Sequence, residues 1–489
     1  MATSSIQKIF NNSLLFALGT VFSKAVGFFL VPIYTYNVSD ADYGVATTIT
    51  AFVSTFGIVI MLSLRAALIR FYNEYDEHQK QIFVGTITCF VCVNAVVICT
   101  LLCLLNRLYS PLLFKDIDFY PLVFFGVLSF GAEGVYLTYQ SLLQAKQDGK
   151  GYSINSIIYL FIHAMAVIVF VLIMQRGALG IVLSNFVTNT CFAIYGIISM
   201  LKKGLMQLSW DSSMLKRSLK YSIPILPHNL SSNLNTYATK VIINTFVGYI
   251  LSGLYTLAAQ FSTLISLVQS SINLAFRPWF IEQMDNGDEG RSQIKDMSVM
   301  IMSIYSFAAV GICLFSKEIV IMMAEQSYAN AWKMVPFFII AQLITFIYYS
   351  HVQALMYNVK MSRYTVFCSS SGLAVNVIVS LLLVKPLNIY GVLIASIVSK
   401  LIMAILTVFL SRKAEKVDFG LGKMVLYIIA ATILICIGMA VSIQNDKIEF
   451  VEIIKKIIIL ALAAVVFILP YRKDFVGLIM GIIKRKSIQ

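Results

Sequence analysis

Residues 229–244, with the sequence NLSSNLNTYATKVIIN, decide how the rest of this chain is interpreted. They lie in an apolar segment, 219–247, that is long enough to cross a membrane. At 100° per residue its polar side chains share one helical face of about 80°. These side chains are Asn229, Asn233, Tyr237, Lys240 and Asn244. An ammonium group is costly in hydrocarbon, so Lys240 is predicted to face a cavity or a partner.

The next apolar segment, 251–281, carries small and polar residues along one line. Spacings of three and four residues separate its members, which are Ser252, Thr256, Ala259, Thr263, Ser266, Ser270, Asn273 and Arg277. Two interpretations of this line stay open. Small residues let membrane helices approach closely, and a polar seam can also border a cavity.

The composition indicates a membrane protein. Of 489 residues, 59% are hydrophobic and 12% are charged, whereas soluble domains have about 25% charged residues. Apolar runs of spanning length lie near 12–36, 44–69, 82–105, 119–145, 152–174, 178–201, 219–247, 251–281, 296–316, 331–357, 363–384, 389–411, 422–443 and 453–470. The predicted fold class is therefore an all-α polytopic membrane protein with about 14 transmembrane helices.

The net charge is +14, but the basic residues are distributed according to the side of the membrane, so the charge does not indicate a nucleic-acid partner. With a cytoplasmic N-terminus, most Lys and Arg residues fall on cytoplasmic segments, as the positive-inside rule requires. The heaviest clusters lie at 202–220, 412–423 and 484–486. An even number of spans then leaves both termini in the cytoplasm.

No metal site or cofactor is predicted. All eight cysteines lie in apolar runs, where a thiol behaves as a small hydrophobic group. Cys89 and Cys92 have the spacing of a metal-binding pair, but their span supplies no His or acidic ligand.

Three further charged residues are predicted to lie within spans. Lys24 lies deep in the first span, and Arg65 lies about one turn inside the second, either reaching the membrane surface or lining a cationic cavity. Glu133, in the fourth span, is the only deep carboxylate that the sequence indicates. It is interpreted either as the counter-ion of a lysine or as a protonatable group that couples transport to Na⁺ or H⁺.

The chain contains two related halves. Gly44 and Gly253 open corresponding spans at an offset of 209, and the segment from Gly180 resembles that from Gly391 at an offset of 211. The predicted divisions are an N-terminal lobe 1–203, a cytoplasmic connector 204–218, a C-terminal lobe 219–413, and two further spans with a basic tail at 414–489. In transporters built from repeats, the substrate site lies between the halves near the membrane midplane.

Several motifs carry a family resemblance. Leu219-Lys-Tyr-Ser-Ile-Pro-Ile-Leu-Pro227, followed by Gly253-Leu-Tyr255, resembles the start of the second half of polysaccharide flippases, the Wzx-type proteins of the multidrug/oligosaccharidyl-lipid/polysaccharide exporter superfamily. Asp42-Tyr-Gly44 and Ala67-Leu-Ile-Arg-Phe71 match the same family, and Phe22-Ser-Lys24 is similar to the Phe-Ser-Arg of lipid II flippases.

The resemblance implies two six-helix lobes in a V around a cationic cavity, plus the two C-terminal helices. That cavity receives the pyrophosphate and sugars of an undecaprenyl-linked oligosaccharide. Many relatives have an acidic residue beside the cation of the seventh span, whereas Ala238-Thr239 precedes Lys240 here. An ion pair within this span is therefore not expected.

The resemblance and the residues together predict a flippase, not an enzyme, in the bacterial cytoplasmic membrane. It would move undecaprenyl-pyrophosphate-linked glycan units by alternating access, for O-antigen, capsule or exopolysaccharide synthesis. Its predicted partners are membrane lipid and possibly a polysaccharide polymerase and chain-length machinery. The predicted cavity cations are Lys24, Lys240, Arg65 and Arg277, and the predicted polar lining is Asn229, Asn233, Tyr237, Asn244, Thr263 and Asn273.

Two alternatives stay open. A multidrug efflux carrier of the same superfamily would favour acidic residues in its cavity, and only Glu133 qualifies. A membrane-embedded glycan-processing enzyme would need acids, a His base or a metal, and the four histidines are scattered along the sequence.

Overall fold

The computed structural model describes residues 27–114, 117–358, 360–361, 363–443 and 449–472. Over these residues the regular structure is helical, so the predicted all-α polytopic class is confirmed. In chain order the longer helices of the first half are α1 Val31–Asn37, α2 Asp40–Met61, α3 Leu64–Phe71, α4 Glu77–Leu104, α5 Asn106–Leu113, α6 Phe124–Ala145, α7 Gly149–Val167, α8 Gly177–Lys202 and α9 Ser212–Ser222.

The second half continues the same pattern. Its longer helices are α10 Leu226–Phe246, α11 Tyr249–Asp285, α12 Gly287–Leu314, α13 Ser316–Met323, α14 Val335–Tyr357, α15 Tyr364–Leu387, α16 Ile389–Ala414, α17 Leu421–Ile443 and α18 Phe450–Phe467. Across the described ranges, 11 helical segments are long and apolar enough to cross a membrane. Helices α10 and α18 also occupy predicted spans, and most of the first predicted span lies outside the described residues.

Short polar side chains start several of these helices. The Ser39 hydroxyl accepts a hydrogen bond from the Asp42 amide before α2, and Asp76 accepts one from Gln79 before α4. Asp211 caps α9 in the connector, where the hydrogen bond from the Ser213 hydroxyl, with those from the following backbone amides, lowers the pKa of its carboxyl group. These capping residues therefore mark where the helices begin.

The second predicted span is broken. Residues 44–69 were expected to form one helix, but Leu62 and Ser63 adopt left-handed backbone conformations, with φ of 45° and 58°. Helix α2 therefore ends at Met61 and α3 begins at Leu64. Neither residue type favours this conformation, so the break could not be predicted from residue types.

A second break lies at the two prolines of the seventh predicted span. A 3₁₀ turn at Ile223–Ile225, beside Pro224 and Pro227, separates α9 from α10 there. The two short helices beside the breaks pack together, because the ring of Tyr221 contacts Phe71 with centroids 5.2 Å apart. The Arg217 guanidinium lies 4.3 Å from the centre of the same Phe71 ring.

Contacts between helices divide the chain into two compact units. The first comprises residues 1–256 and 376–392, and the second comprises 257–375 and 393–489. The predicted lobes were defined by sequence repetition and not by contacts, so their limits stay a prediction. Helix α10 packs against α2 in the first unit.

A cluster of four buried charged side chains joins α13 to α18 in the second unit. The Lys317 ammonium lies 2.8 Å from Glu452, and the Lys456 ammonium lies 2.5 Å from Glu318 and 2.8 Å from Glu452. Lys317 also donates to the carbonyl oxygen of Ser442, at the end of α17. The sequence analysis did not identify Glu318 and Glu452, which lie outside the predicted spans but are buried in the protein.

Because of this cluster, we expect substitutions of two adjacent lysines to have very different effects on the folding free energy. Replacing Lys456, which is fully buried, with Met leaves Glu318 and part of Glu452 without a cation and should cost about 3–5 kcal/mol of folding free energy. Replacing the exposed Lys455 with Met should change the stability by less than about 0.5 kcal/mol. Denaturant titration of the two purified variants measures both, and equal stabilities would contradict the assignment of a structural role to the cluster.

Candidate functional site

A cavity of about 600 Å³ lies within the first unit, bordered by α2, α3, α6 and α10. Its polar lining includes Ser63, Arg65, Glu133, His228, Asn229 and Asn233. The break between α2 and α3 is part of this wall, since Met61 precedes the left-handed turn and Ser63 belongs to it. A cavity of this volume is typical of sites for small ligands.

Arg65 and Glu133 both line the cavity and do not pair with each other. Arg65, on α3, donates a hydrogen bond of 3.2 Å to the side-chain oxygen of Gln144. Glu133, on α6, has no hydrogen bond or ion pair with any residue that the structure describes. Arg65 thus lines a cavity in this structure, and its role as a substrate-binding cation stays a prediction.

Two asparagines of the polar stripe fix α10 along the opposite wall. The Asn229 amide donates a hydrogen bond of 3.1 Å to the Ser63 hydroxyl, and the Asn233 amide donates one of 3.2 Å to the backbone oxygen of Ser54. Their contacts satisfy backbone and hydroxyl groups near the break in α2. Both residues line the cavity.

Farther along α10 an aromatic layer replaces the cavity. Tyr237, a predicted cavity residue, is buried beside Phe52 of α2, with ring centroids 5.4 Å apart. Tyr109 and Phe114 complete the layer, with centroids 5.6 Å and 4.9 Å from that of Phe52. In this structure Tyr237 therefore packs against rings, and its role in a cavity stays a prediction.

Beyond the aromatic layer, α2, α10 and α11 form a close polar contact, which we call the threonine seam. The Lys240 ammonium donates hydrogen bonds to the hydroxyls of Thr47, at 2.8 Å, and Thr256, at 2.6 Å. The two threonine hydroxyls lie 3.2 Å apart. The Asn244 amide donates 2.9 Å to Thr48. Each threonine that binds Lys240 also donates to a carbonyl oxygen of its own helix, so its lone pairs face the ammonium.

Glycines allow the backbones to approach each other at the threonine seam. A Cβ atom on Gly44 would overlap the carbonyl oxygen of Tyr249, and one on Gly253 would overlap that of Asp40. The contacts are reciprocal, because Asp40 and Tyr249, Gly44 and Gly253, and Thr47 and Thr256 all share the offset of 209. The seam therefore joins equivalent positions of the two sequence repeats.

The remaining predicted site residues lie elsewhere. Thr263, Asn273 and Arg277 belong to the part of α11 that lies in the second unit, where Arg277 is exposed and Asn273 borders a small cleft with Ser298. Lys24 lies outside the described residues. No group of three or more His, Cys, Asp or Glu side chains suited to a metal occurs among the residues described.

The sequence analysis missed the partners of Lys240. It recognised the offset that relates Gly44 to Gly253. That offset could have suggested the contact between Thr47 and Thr256. The pairing across α2, α10 and α11 needs the tertiary structure.

Comparison with known proteins decides the family. The model of the polysaccharide biosynthesis protein family matches residues 9–284, which is more than half of the chain. The chain belongs to this family. The predicted assignment to the polysaccharide flippases of the exporter superfamily is thereby confirmed.

Individual relatives of this polysaccharide biosynthesis family member are distant. Protein 1 of the Lsg locus of Haemophilus influenzae is 22% identical over 283 residues, covering 57% of this chain and 67% of that relative. An uncharacterized membrane protein of Methanocaldococcus jannaschii is 24% identical over 267 residues, covering 52% of this chain and 63% of that relative.

Solved structures show the same fold. The lipid II flippase MurJ, in an inward closed conformation, superposes with a TM-score of 0.72 at 15% identity, covering 95% of this chain and 100% of that one. An inward-facing multidrug resistance transporter of the MATE family superposes with a TM-score of 0.65 at 11% identity, covering 80% and 94%. The family member thus shares its fold with both of these transporters.

The glycine contacts generate a prediction about the threonine seam. In a background without native cysteines, Thr47→Cys and Thr256→Cys should form a disulfide readily, because the two hydroxyls lie 3.2 Å apart. Adding Gly253→Ala should lower the yield several-fold, because its methyl group would push α11 away from the Asp40 carbonyl. Gly422→Ala is the matched control, since nothing lies within 4 Å of its added Cβ. Equal yields with both alanines would contradict the close approach at the seam.

Proposed function

We propose that this protein transports undecaprenyl-pyrophosphate-linked oligosaccharide units across the bacterial cytoplasmic membrane by alternating access. The observation that carries the proposal is the cavity of about 600 Å³ with Arg65 in its wall, separated from the threonine seam by an aromatic layer. Membership of the polysaccharide biosynthesis family supports a glycan substrate. The name of the lipid II flippase indicates a lipid-linked substrate for that structural neighbour.

The chemistry of the cavity suits a phosphate that carries sugars. The Arg65 guanidinium can donate two parallel hydrogen bonds to phosphate oxygens, and its present partner is a neutral amide that a phosphate could displace. Asn229 and Asn233 supply amide groups of the kind that bind sugar hydroxyls. A cavity of this size accommodates the pyrophosphate and the first sugars, while the polyprenyl chain would stay in the bilayer.

The seam supplies a barrier that could open. In the predicted topology, with both termini in the cytoplasm, the seam lies at the external ends of α2 and α10, and the cavity lies toward the cytoplasm. Opening the seam would release Lys240 from Thr47 and Thr256 and expose its ammonium to a passing anion. Because an ion pair with phosphate is stronger than a bond to a hydroxyl, the substrate would favour the open state.

The remaining predictions about function belong to this proposal. Lys24, Arg277, Thr263 and Asn273 are proposed as further substrate contacts, and coupling to Na⁺ or H⁺ is proposed to act through Glu133. We also propose that the protein is not an enzyme and that it lies in the cytoplasmic membrane. It would cooperate there with a polysaccharide polymerase and chain-length machinery. Each is separately testable.

The substrate proposal is tested with purified protein in liposomes that contain lipid-linked oligosaccharide. Arg65→Ala should weaken binding of the glycan lipid by about tenfold to a hundredfold, the loss of one charge-assisted contact, and Arg65→Lys should restore part of it. Lys150→Ala, which removes an exposed cation, should bind normally. Transport of glycan of unchanged mass is expected, whereas shortened or extended glycan would indicate an enzyme. Normal transport by Arg65→Ala would overturn the proposed site.

The transport mechanism predicts an effect of locking the seam. Forming the disulfide between Thr47→Cys and Thr256→Cys should stop transport, and reduction should restore it, because alternating access requires the helices to separate. Each single cysteine variant serves as a control under the same oxidant. If the crosslinked protein transports at the unlocked rate, the seam is not a barrier in the cycle.

A further inference from the structure

Two arginine side chains share one carboxylate at the end of α3. Glu74 lies in the 3₁₀ turn that follows this helix, and its two oxygens lie 2.5 Å from the guanidinium groups of Arg70 and Arg217. Arg70 belongs to α3, whereas Arg217 comes from α9 in the connector. We call these three side chains the arginine clamp. Two cations and one anion leave the clamp with an unbalanced positive charge.

Aromatic rings hold both guanidinium groups of the clamp in place. The guanidinium carbon of Arg217 lies 4.3 Å from the centre of the Phe71 ring, and that of Arg70 lies 5.8 Å from the same centre. The hydroxyl of Tyr75 accepts a hydrogen bond of 3.4 Å from Arg217. A ring contact orients a guanidinium without using its N–H donors, so most of these donors stay available to an anion.

The backbone that carries the clamp is fixed on several sides. The side-chain amide of Asn73 donates a hydrogen bond of 3.2 Å to the carbonyl oxygen of Ala145, at the end of α6. On the other side of Glu74, Asp76 caps α4. Helix α9 buries Met214 and Leu215 in the core of the first unit, which fixes the position of Arg217. The clamp is therefore a defined arrangement of the fold.

The ion pairs of the clamp contribute little to the fold. The side chains of Arg70 and Arg217 keep 57% and 48% of their surface exposed, and water solvates both partners of such pairs. A phosphate has more oxygens than a carboxylate, and a guanidinium can donate two parallel hydrogen bonds to it. A phosphate is therefore able to replace Glu74 between the two arginines.

The clamp lies where lipid head groups are found. Arg70 directly follows the predicted span 44–69, at its cytoplasmic end in the predicted topology. Two exposed lysines of α9, Lys216 and Lys220, add positive charge that attracts anions. Arg65, in the wall of the large cavity, precedes Arg70 by about 7.5 Å along the axis of α3 at 1.5 Å per residue. The clamp is thus close to the head-group region and to the cavity.

We propose that the arginine clamp binds the phosphate group of a lipid at the cytoplasmic membrane surface. Arg70 and Arg217 bind the phosphate, and Glu74 holds the two arginines together until the phosphate displaces it. Two kinds of lipid offer this chemistry, namely an acidic phospholipid and a lipid that carries a glycan on a diphosphate. In the second case the clamp receives the substrate before the large cavity does, a step that rests on the proposed function.

Because Glu74 competes with the ligand, its removal should strengthen binding. The full chain is placed in nanodiscs of phosphatidylcholine, and binding of inorganic pyrophosphate is measured by calorimetry. Glu74→Gln should tighten binding by about fivefold to tenfold, since both arginines are then free. Arg217→Gln should weaken binding by about tenfold, because one charge-assisted contact is lost.

Two control variants match these changes in charge. Glu77→Gln removes the same charge as Glu74→Gln but releases only Lys80, whose ammonium lies 2.6 Å from Glu77. Lys216→Gln removes an exposed cation next to Arg217. Both controls should change the affinity for pyrophosphate by less than about twofold, because exposed charges without a direct contact to the ligand are screened by water and salt.

The opposite effects of the two clamp variants decide the proposal. If Glu74→Gln binds pyrophosphate no tighter than wild type or Glu77→Gln does, the clamp only fastens the connector to α3 and the proposal is wrong. Should Glu74→Gln fold poorly, Arg217→Lys takes its place, since it keeps the charge beside Glu74 but lacks the forked guanidinium. We expect Arg217→Lys to bind several-fold more weakly than wild type, and wild-type affinity would overturn the proposal.

Competition identifies the lipid. Displacement of pyrophosphate by phosphatidylglycerol in the nanodisc would assign the clamp to acidic phospholipids, and displacement by lipid-linked oligosaccharide alone would assign it to the transported lipid. If neither displaces pyrophosphate, the clamp does not bind lipid.

An Arg65→Ala background separates the clamp from the large cavity. The effects of Glu74→Gln and Arg217→Gln should persist in this background, and their loss there would place the pyrophosphate in the cavity and overturn the clamp. Normal glycan transport by Arg65→Ala with intact pyrophosphate binding at the clamp would contradict the proposed function alone.

Discussion

The structure of the first unit depends on how one buried ammonium is stabilised. Among the residues that the structure describes, Lys240 has no carboxylate partner, and two threonine hydroxyls from different helices solvate it instead. These bonds are possible because Gly44 and Gly253 bring the backbones of α2 and α11 together. Hydroxyl partners satisfy a charge less completely than a carboxylate does, so the contact is strong enough to form and weak enough to exchange for an anion.

The same helical face of α10 then meets three environments in sequence. Asn229 and Asn233 border a cavity, Tyr237 packs among aromatic rings, and Lys240 is enclosed in the threonine seam. This order follows from α2 and α10 running antiparallel side by side, so that each turn of one helix meets a fixed turn of the other. The break after Met61 lies at the cavity end, and at the other end the glycines bring α11 against α2.

The buried charged side chains of the two units differ in how they are paired. In the second unit, Lys317, Glu318, Glu452 and Lys456 neutralise one another, which indicates a structural role that fastens the last helices. In the first unit, Arg65 and Glu133 share a cavity without pairing. Unpaired charge inside a membrane protein is expensive to keep, and this contrast is why the proposed functions are assigned to the first unit.

The sequence by itself determined the helical class, the approximate spans, the family, the polar stripe of α10 and the repeat offset of 209, because composition and periodicity are local properties. The bend at Pro224 and Pro227 was likewise readable from residue type. Only the tertiary structure decided which stripe residues face a cavity, that Leu62 and Ser63 break the second span, and that Lys456 meets Glu318. Such pairings join residues far apart in the chain, and no local pattern encodes the partner, since each helix exposes similar polar groups to several neighbours.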